Sequence, residues 1–351
     1  MTKKTPTTGR AGKKIRRIIY SLLVIAPSPA LTMVNVHDAS YVYQVNDIEL
    51  PRLNDNLKID RHYSSRSRHS GIFGFGWCSS FETKLRILSE DSAALDECGQ
   101  SGARLFRRNP KTLQWKLENG GNHERLLAAG PYLIDYLDSH PRYVFSRSKG
   151  VLISMIDSKN RALSLTYDRL GRLRTVEAGG RPQLFFDFNA DSKRLDRIRL
   201  VTHHEVVFEF AHSDLRRVLT TGGESFIYQY DSFHNLIQIN DSRQILQKIR
   251  YDQIQDRVLF VEDSFGCQQA LNYNRDGKLH VFTNSIVTCS ERLISESRYD
   301  FWYRPLPSHD FHKQSAGQYL STFTVVRERE KKTVNFRPNG ESINQIQERL
   351  Q

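Results

Sequence analysis

The sequence has few cysteines and no long apolar run. Only four of its 351 residues are cysteines, and no two of them form the C-x-x-C pair that is typical of zinc sites. Beyond the N-terminal region no apolar stretch is long enough for a membrane-spanning helix. The local signatures of a serine nucleophile elbow and of a phosphate-binding loop are also missing. We therefore predict no metal, no cofactor and no catalytic residue.

Acidic residues are missing from residues 1–30, which hold seven basic ones. The basic stretch Lys13 to Arg17 precedes an apolar run from Ile18 to Ala26, and the small residue Ala30 offers a cleavage point. Nine helical residues cover roughly 14 Å, too little to cross a bilayer core of about 30 Å. This order predicts a secretory signal, with an uncleaved anchor or a plain basic tail as alternatives.

The remaining charge is nearly balanced. Without those seven residues the formal net charge falls from +12 to +5, on 44 basic and 39 acidic side chains. Interspersed charges of this kind are typical of a solvated surface rather than of a nucleic-acid-binding face. We expect a periplasmic, outer-surface or secreted protein, with no nucleic-acid partner and with membrane contact only through an uncleaved N-terminal segment.

Aromatic residues are abundant and recur at a fixed interval. The composition includes 19 Phe and 15 Tyr, and apolar residues come in short alternating runs, which favour β-strands. Aromatic strand ends followed by a polar residue are spaced by 19, 22, 22, 21 and 22 residues. A period near 21 over six units indicates a repeat architecture. The six anchors are Tyr167-Asp168, Phe186-Asp187, Phe208-Glu209, Tyr230-Asp231, Tyr251-Asp252 and Tyr273-Asn274.

A turn and a new strand follow each anchor. In the clearest unit the carboxylate of Asp168 can accept hydrogen bonds from turn amides, Gly171 tolerates a positive φ, and Arg172-Leu173 begins the next strand. Asn235 and Gly277 stand at the corresponding turn positions of two later units. Each unit reads as a two-strand hairpin. Because one hairpin cannot bury its own apolar face, successive hairpins must pair into one sheet on which the tyrosines stack.

The unit from Tyr167 to Leu173 resembles the YD repeat of the Rhs family at every fixed position of that pattern. An upstream stretch also resembles the segment that precedes the repeats in many Rhs proteins. Its motif residues are Arg61, Tyr63, Ser65, Gly74, Gly76 and Trp77. The resemblance covers roughly residues 45–280. It implies an all-β fold of repetitive antiparallel hairpins that form a curved, shell-like sheet.

The cysteines fall into two local pairs. Cys78 and Cys98 are 20 residues apart, and Cys267 and Cys289 are 22 apart. In an oxidising compartment an even number grouped in this way predicts two disulfides, with free buried thiols as the alternative.

The predicted organisation has five parts. They are a signal or anchor (1–30), an Rhs-type opening segment (31–85), a strand-rich lead-in (86–160), YD repeats (161–285) and an irregular C-terminal region (286–351). About a dozen repeat strands at roughly 4.8 Å each suggest an open strip about 60 Å long rather than a closed container. The self-cleaving Asp-Pro-x-Gly-Leu motif that ends the core in the Rhs family does not occur in the sequence.

The resemblance implies an exported, non-enzymatic shell or scaffold protein. Its expected context is toxin delivery, interbacterial competition or cell-surface interaction, with another YD-repeat chain, a toxin or a surface glycan as partner. Two alternatives stay open: a carbohydrate-binding surface adhesin, and a hydrolase whose site the sequence does not reveal.

Overall fold

The computed structural model describes most of the chain beyond residue 30. The described ranges are 31–36, 38–49, 57–98, 103–112, 114–117, 125–130, 132–136, 142–190, 194–252, 254–276, 280–305, 318–327, 330–337 and 342–349. The expected signal lies outside them, as does Gly277. Within these ranges no helix has the length and apolar character needed to cross a membrane.

The opening segment forms two small antiparallel sheets and one 3-10 turn, Ser80–Glu82. Its strands are β1 (Leu31–Asn35), β2 (Ser40–Glu49), β3 (Lys58–Ser64), β4 (Ser70–Gly71), β5 (Gly74–Phe75) and β6 (Trp77–Cys78). Strands β1, β2, β3 and β6 make a four-stranded sheet, and β4 pairs with β5. Alternate residues of β2 are buried, so this sheet has one core face.

All later strands form one antiparallel meander in which each strand pairs with the next along the chain. The lead-in contributes β7 (Lys84–Ser89), β8 (Ser92–Asp96), β9 (Arg104–Arg108), β10 (Trp115–Leu117), β11 (Arg125–Ala129), β12 (Tyr132–Tyr136), β13 (Arg142–Ser146) and β14 (Leu152–Ile156). The lead-in folds back on itself. Lys84 bridges Val151, and the Leu85 amide donates to the Gly150 carbonyl at 2.9 Å, so β7 returns to the start of β14. From β14 the meander continues into the repeat region.

The repeat region supplies the next eleven strands. They are β15 (Ala162–Tyr167), β16 (Leu173–Ala178), β17 (Arg181–Phe188), β18 (Leu195–Leu200), β19 (Glu205–Ala211), β20 (Asp214–Thr220), β21 (Ser225–Tyr230), β22 (Leu236–Asn240), β23 (Ile245–Asp252), β24 (Arg257–Asp263) and β25 (Cys267–Asp276). One face is lined by buried aliphatic and aromatic side chains that join the core of the opening segment. The predicted all-β class with repetitive hairpins is confirmed.

The strand register corrects two of the six repeat anchors. The register shifts once in each of five hairpins, immediately before Tyr167, Phe188, Phe210, Tyr230 and Tyr251. Phe188 and Phe210 therefore replace Phe186 and Phe208, and the spacing becomes 21, 22, 20 and 21 residues. The error arose because each pair of phenylalanines lies two residues apart on one strand face, and Asp187 imitates the acidic residue of a turn.

The C-terminal region is regular where it is described. Residues 286–351 were predicted to be irregular, but they contribute to long strands that continue the meander: β26 (His280–Cys289), β27 (Arg292–Pro305), β28 (Gln318–Arg327), β29 (Glu330–Phe336) and β30 (Ser342–Arg349). Strands of up to 14 residues do not fit a 21-residue hairpin period, which explains why the repeat pattern ends here. All residues of β30 are exposed.

Candidate functional site

The buried face of the four-stranded sheet in the opening segment packs against the repeat hairpins. This face carries an aromatic cluster in which ring centroids lie 5.2 to 6.5 Å apart. The cluster consists of Tyr41, Tyr43, Tyr63 and Trp77 from the opening segment and Tyr228 and Tyr230 from β21. Edge-to-face and tilted pairs of this kind stabilise a contact beyond the area that they bury. We take this contact as the candidate functional site and call it the opening interface.

A fully buried ion pair lies in the middle of the opening interface. Arg61 binds Asp47 through Nε at 2.6 Å and Nη2 at 2.7 Å, and its Nη1 donates to the hydroxyl of Tyr228 at 3.0 Å. The guanidinium carbon also lies 5.2 Å from the ring centroid of Trp77. Burial opposes the charge of Arg61, but the Asp47 carboxylate outweighs it and raises the pKa of the guanidinium. Removing one partner would leave an uncompensated buried charge, at a cost of about 3–5 kcal/mol.

Asp47 reaches this position through an irregularity in β2. The residues that precede it on the same face, Tyr41, Tyr43 and Val45, are buried at alternate positions. A register shift between Asn46 and Ile48 leaves no residue of β3 directly opposite Asp47 in the strand pairing. Both Asp47 and Ile48 are therefore buried on the core side. The sequence analysis missed Asp47, although its place in the alternating pattern was a usable signal for a buried carboxylate.

Two predicted motif residues continue the hydrogen bonding of the repeats. The hydroxyl of Tyr63 donates to the His234 carbonyl at 3.1 Å and accepts the Leu236 amide at 2.9 Å. The indole N–H of Trp77 donates to the hydroxyl of Tyr230 at 2.9 Å. Burial raises the pKa of Tyr63, so this hydroxyl stays protonated and able to donate. The opening segment thus satisfies polar groups of a repeat turn that would otherwise need water.

The motif glycines lie at two close contacts of the chain, of which the one at Gly74 is with the repeats. Gly74 has a φ of +93°, and a Cβ atom there would lie 2.4 Å from the Ser213 carbonyl oxygen. The neighbouring Phe75 amide donates to that same oxygen at 2.8 Å. Gly76 packs against the ring of Tyr63. These contacts predict that any side chain at Gly74 would clash with the Ser213 carbonyl.

Hydrogen bonds between side chains and backbone groups hold the end of β3, within the opening segment and against the repeats. The Ser65 hydroxyl accepts the Tyr41 amide at 3.0 Å, which holds the end of β3. Arg66 donates to the carbonyls of Gln255 and Asp256. All six residues of the predicted upstream motif therefore lie within or beside one interface.

Three repeat tyrosines, Tyr167, Tyr230 and Tyr251, make the same kind of hydrogen bond. Each hydroxyl donates to the carbonyl fifteen residues earlier, at the start of the neighbouring strand: Tyr167 to Leu152 at 2.5 Å, Tyr230 to Leu215 at 2.9 Å and Tyr251 to Leu236 at 3.1 Å. Each tyrosine thereby ties its own strand to the residue at which the preceding strand begins.

The aspartates of the repeats organise their turns as predicted. Asp168 Oδ1 accepts the amides of Leu170 and Arg172, both at 2.9 Å, and Oδ2 accepts Arg172 Nε at 2.8 Å. The backbone bond from Arg172 is the main reason that the pKa of Asp168 lies below its usual value. Gly171 has a φ of +78°, and Leu173 is buried opposite Tyr167.

The turn after Tyr230 has the same geometry, but its positive φ of +67° falls on His234 and not on Asn235, where it was predicted. After Tyr251 the pattern differs, because the Asp256 amide donates to the Asp252 carbonyl. Asp231 accepts the amides of Phe233 and Asn235 and the side-chain amide of Asn235. Asp252 accepts the Ile254 and Gln255 amides.

The last predicted unit departs from this geometry. Tyr273 and Asn274 were expected to end a strand, but β25 runs on to Asp276, and Asn274 still pairs with Phe282. The strand therefore continues past the residues at which the turn was predicted to begin. Tyr273 packs against the core, but its hydroxyl lacks the shared bond and has no hydrogen-bond partner among the described residues.

Both predicted disulfides are confirmed. Cys78–Cys98 has a Cα separation of 5.6 Å and links β6 of the opening segment to the loop after β8. Cys267–Cys289 has a Cα separation of 4.1 Å and joins directly opposed residues of β25 and β26.

A cleft of about 660 Å³ lies beside the Cys78–Cys98 bond. Its lining mixes charges of both signs, and His69 lies 3.5 Å from Glu82 within it. Hydrogen bonding to Glu82 raises the pKa of His69. Within the described ranges no group of three or more histidine, cysteine, aspartate and glutamate side chains could hold a metal ion.

Comparison with known proteins gives one family match. The model "Domain of unknown function (DUF6531)" matches residues 32–103, which contain the opening interface motif and the first disulfide. No curated protein matches the sequence.

Several solved toxin-complex structures resemble the chain at low identity. A TcdB2–TccC3 crystal structure without its hypervariable C-terminal region shares 9% identity, with a TM-score of 0.31 over 87% of this chain and 20% of that chain. The Photorhabdus luminescens Tc holotoxin pore shares 12% identity, with a TM-score of 0.28 over 89% of this chain and 18% of that chain. The chain spans about a fifth of the length of these structures.

Proposed function

We propose that the chain is an exported, non-enzymatic scaffold of the Rhs type, in which the opening segment locks a run of YD-repeat hairpins into one rigid unit. The opening interface is the observation that carries this proposal. There, Tyr63 and Trp77 hydrogen-bond directly to the repeat turn around Tyr230, and Arg61 reaches Tyr228. Such hydrogen bonds favour one arrangement of the two chain segments, because in that arrangement the buried polar groups that they join have partners.

Export is supported by the two disulfides and by the N-terminal sequence. Disulfides persist in oxidising compartments and are rare in the cytosol of most organisms. The signal-like order of basic, apolar and small residues directly precedes the first described strand. We propose cleavage near Ala30 and a final location in the periplasm, on the outer surface or outside the cell.

The proposed role is a structural one in toxin delivery, interbacterial competition or cell-surface interaction. Several ionisable side chains that could serve in catalysis instead bind protein groups. Arg61 and Asp47 bind each other, and Asp168 and Asp231 accept hydrogen bonds from the amides of their own turns. The proposed partner is a toxin or another YD-repeat chain, by analogy with complexes that join TcdB2 and TccC3.

A complementation experiment separates a scaffold from an enzyme. In the bacterium that carries the gene, deletion should abolish killing of a competitor or surface attachment. Wild-type protein and the cleft variant His69→Ala should restore it, whereas Asp47→Ala, which breaks the buried ion pair, should not. Loss of activity in a His69→Ala protein that is still secreted and folded would indicate catalysis in the cleft and contradict the proposal.

A further inference from the structure

One position in the repeat hairpins is occupied by arginine in some units and not in others. It directly precedes the buried aliphatic residue that pairs with each anchor, and we call it the post-turn position. In chain order, the residues at this position are Arg172, Arg194, Asp214, Asn235 and Arg257. Arginine is therefore missing from two consecutive units.

Each post-turn arginine covers the anchor ring of the next unit. The pairs, with the distance from the guanidinium carbon to the ring centroid, are Arg172–Phe188 (4.6 Å), Arg194–Phe210 (5.7 Å) and Arg257–Tyr273 (5.7 Å). A guanidinium at this distance is attracted to the face of an aromatic ring. The arginine therefore occupies space over the ring that another group would need in order to pack there.

The opening segment contacts the two anchor rings that have no such arginine, Tyr230 and Tyr251. The ring of Tyr230 packs against Tyr63 with centroids 6.3 Å apart, and its hydroxyl accepts the Trp77 indole N–H. The side chain of Ser65 hydrogen-bonds to Tyr251. Aromatic and hydroxyl groups of the opening segment thus take the place that arginine has in the other units.

The two exceptional post-turn residues bind groups at this contact. Asp214 lies 2.8 Å from Nδ1 of His234, and that imidazole packs against Phe75 of the opening segment with centroids 4.9 Å apart. Asn235 is buried, and its side chain donates to the Asp256 carboxylate at 2.6 Å. Neither residue brings a positive charge to the opening interface.

An arginine at position 235 would conflict with the opening segment in two ways. The Tyr63 hydroxyl bonds to the backbone on both sides of this position, so its ring fills the adjoining space. Arg66 donates to the carbonyl of Asp256, the residue whose carboxylate binds Asn235. A guanidinium in place of the asparagine would therefore stand close to the cation of Arg66 and repel it.

We propose that Asp214 and Asn235 determine where the opening segment docks on the repeats. Similar hairpins offer similar docking positions one unit apart. At the arginine-bearing units, the opening segment would have to displace a cation from the ring, whereas the two arginine-free units leave both rings open to it. Similar sites are commonly distinguished by such obstruction of the wrong ones. The inference rests on the proposed function, in which the opening segment locks the hairpins, and names the residues that set its position.

Hydrogen exchange of the full-length protein tests this inference. The amides of Phe75 and Leu236 bond across the opening interface and report docking, and the ladder amides of β15 and β16 report the repeats themselves. We expect Asp214→Arg and Asn235→Arg each to speed exchange at the two interface amides by about a hundredfold or more, and to leave the ladder amides within about threefold of wild type.

Asp214→Asn and Asn235→Ala are the matched controls. The first keeps a hydrogen-bond acceptor for His234, and the second removes the amide without adding a cation. Both should speed exchange at the interface amides by less than about tenfold. The Asp214 side chain is 17% exposed, so Asp214→Arg keeps the test decisive if Asn235→Arg fails to fold.

Wild-type exchange at Phe75 and Leu236 in both arginine variants would overturn the inference. Equal effects of Asn235→Ala and Asn235→Arg would also overturn it, as would a loss of protection that is uniform over all ladders, because the arginine would then destabilise the whole chain. Fast exchange of both amides in the wild-type protein would contradict the locking role itself, which distinguishes failure of the proposed function from failure of this inference alone.

Discussion

The hydrogen bond between Trp77 and Tyr230 offers a quantitative test of the opening interface. The Tyr230 hydroxyl accepts the Trp77 indole N–H and donates to the Leu215 carbonyl, each at 2.9 Å. Tyr230→Phe removes this hydroxyl, so the Trp77 indole N–H and the Leu215 carbonyl each lose a hydrogen bond. The hydroxyl of Tyr167 makes only the corresponding carbonyl bond, to Leu152. Tyr167→Phe is therefore the matched control for a repeat tyrosine without an interface partner.

The expected magnitudes follow from the number of groups left unpaired. A buried polar group that loses its partner costs about 1–3 kcal/mol. We expect Tyr167→Phe to destabilise the protein by about 1–2 kcal/mol and Tyr230→Phe by about 2–4 kcal/mol. Full truncation by Tyr230→Ala should cost about 3–5 kcal/mol, as is usual for a packed aromatic residue.

A double-mutant cycle isolates the interface bond. The variants Trp77→Phe and Tyr230→Phe, alone and together, are unfolded in urea and followed by circular dichroism, since one variant lacks an indole. We expect a coupling energy of about 1–2 kcal/mol for this pair, and additivity when Trp77→Phe is combined with Tyr167→Phe. A coupling below about 0.3 kcal/mol for the first pair would show that the two segments do not meet as described.

Three further outcomes are expected. Gly74→Ala should lower the free energy of unfolding in urea by at least about 2 kcal/mol more than Gly171→Ala. Both glycines have a positive φ, but of the two only Gly74 faces a backbone oxygen. Equal losses would show that Gly74 does not lie close to the Ser213 carbonyl. Intact mass spectrometry of exported protein should show the loss of about thirty residues, and a full-length mature chain would exclude cleavage near Ala30. Non-reducing peptide mapping should recover both disulfides, whereas free thiols in exported protein would count against them.

Local signals in the sequence were sufficient for the fold class and the repeats. The alternation of apolar residues and the recurrence of aromatic strand ends depend on neighbours along the chain, so the hairpins and their Asp turns could be predicted. The register of Phe188 and Phe210 could not, because two aromatic residues on one strand face fit the period almost equally well. The pairing between strands identifies Phe188 and Phe210 as the anchors, because the register shift lies immediately before each of them.

Contacts between residues far apart in the sequence could not be predicted from it. Tyr228 precedes an anchor tyrosine by two residues and was not singled out, yet it meets Arg61 across 167 positions of the chain. Similarly, nothing local marks Lys84 and Val151 as the pair that brings β7 back to the start of β14. The motif residues of the opening segment were identified by resemblance, whereas their bonding to one repeat turn became visible only in three dimensions.

Hydrogen exchange measures most directly whether the opening segment and the repeats form one unit. Three amides bond across the opening interface: Leu236 to the Tyr63 hydroxyl, Val258 to the Ala39 carbonyl and Phe75 to the Ser213 carbonyl. In a single cooperative unit, their opening free energies should fall within about 1 kcal/mol of those of the ladder amides in β22 and β23. If the amides at Phe75 and Leu236 exchange orders of magnitude faster while those ladders stay protected, the opening segment does not lock the repeats.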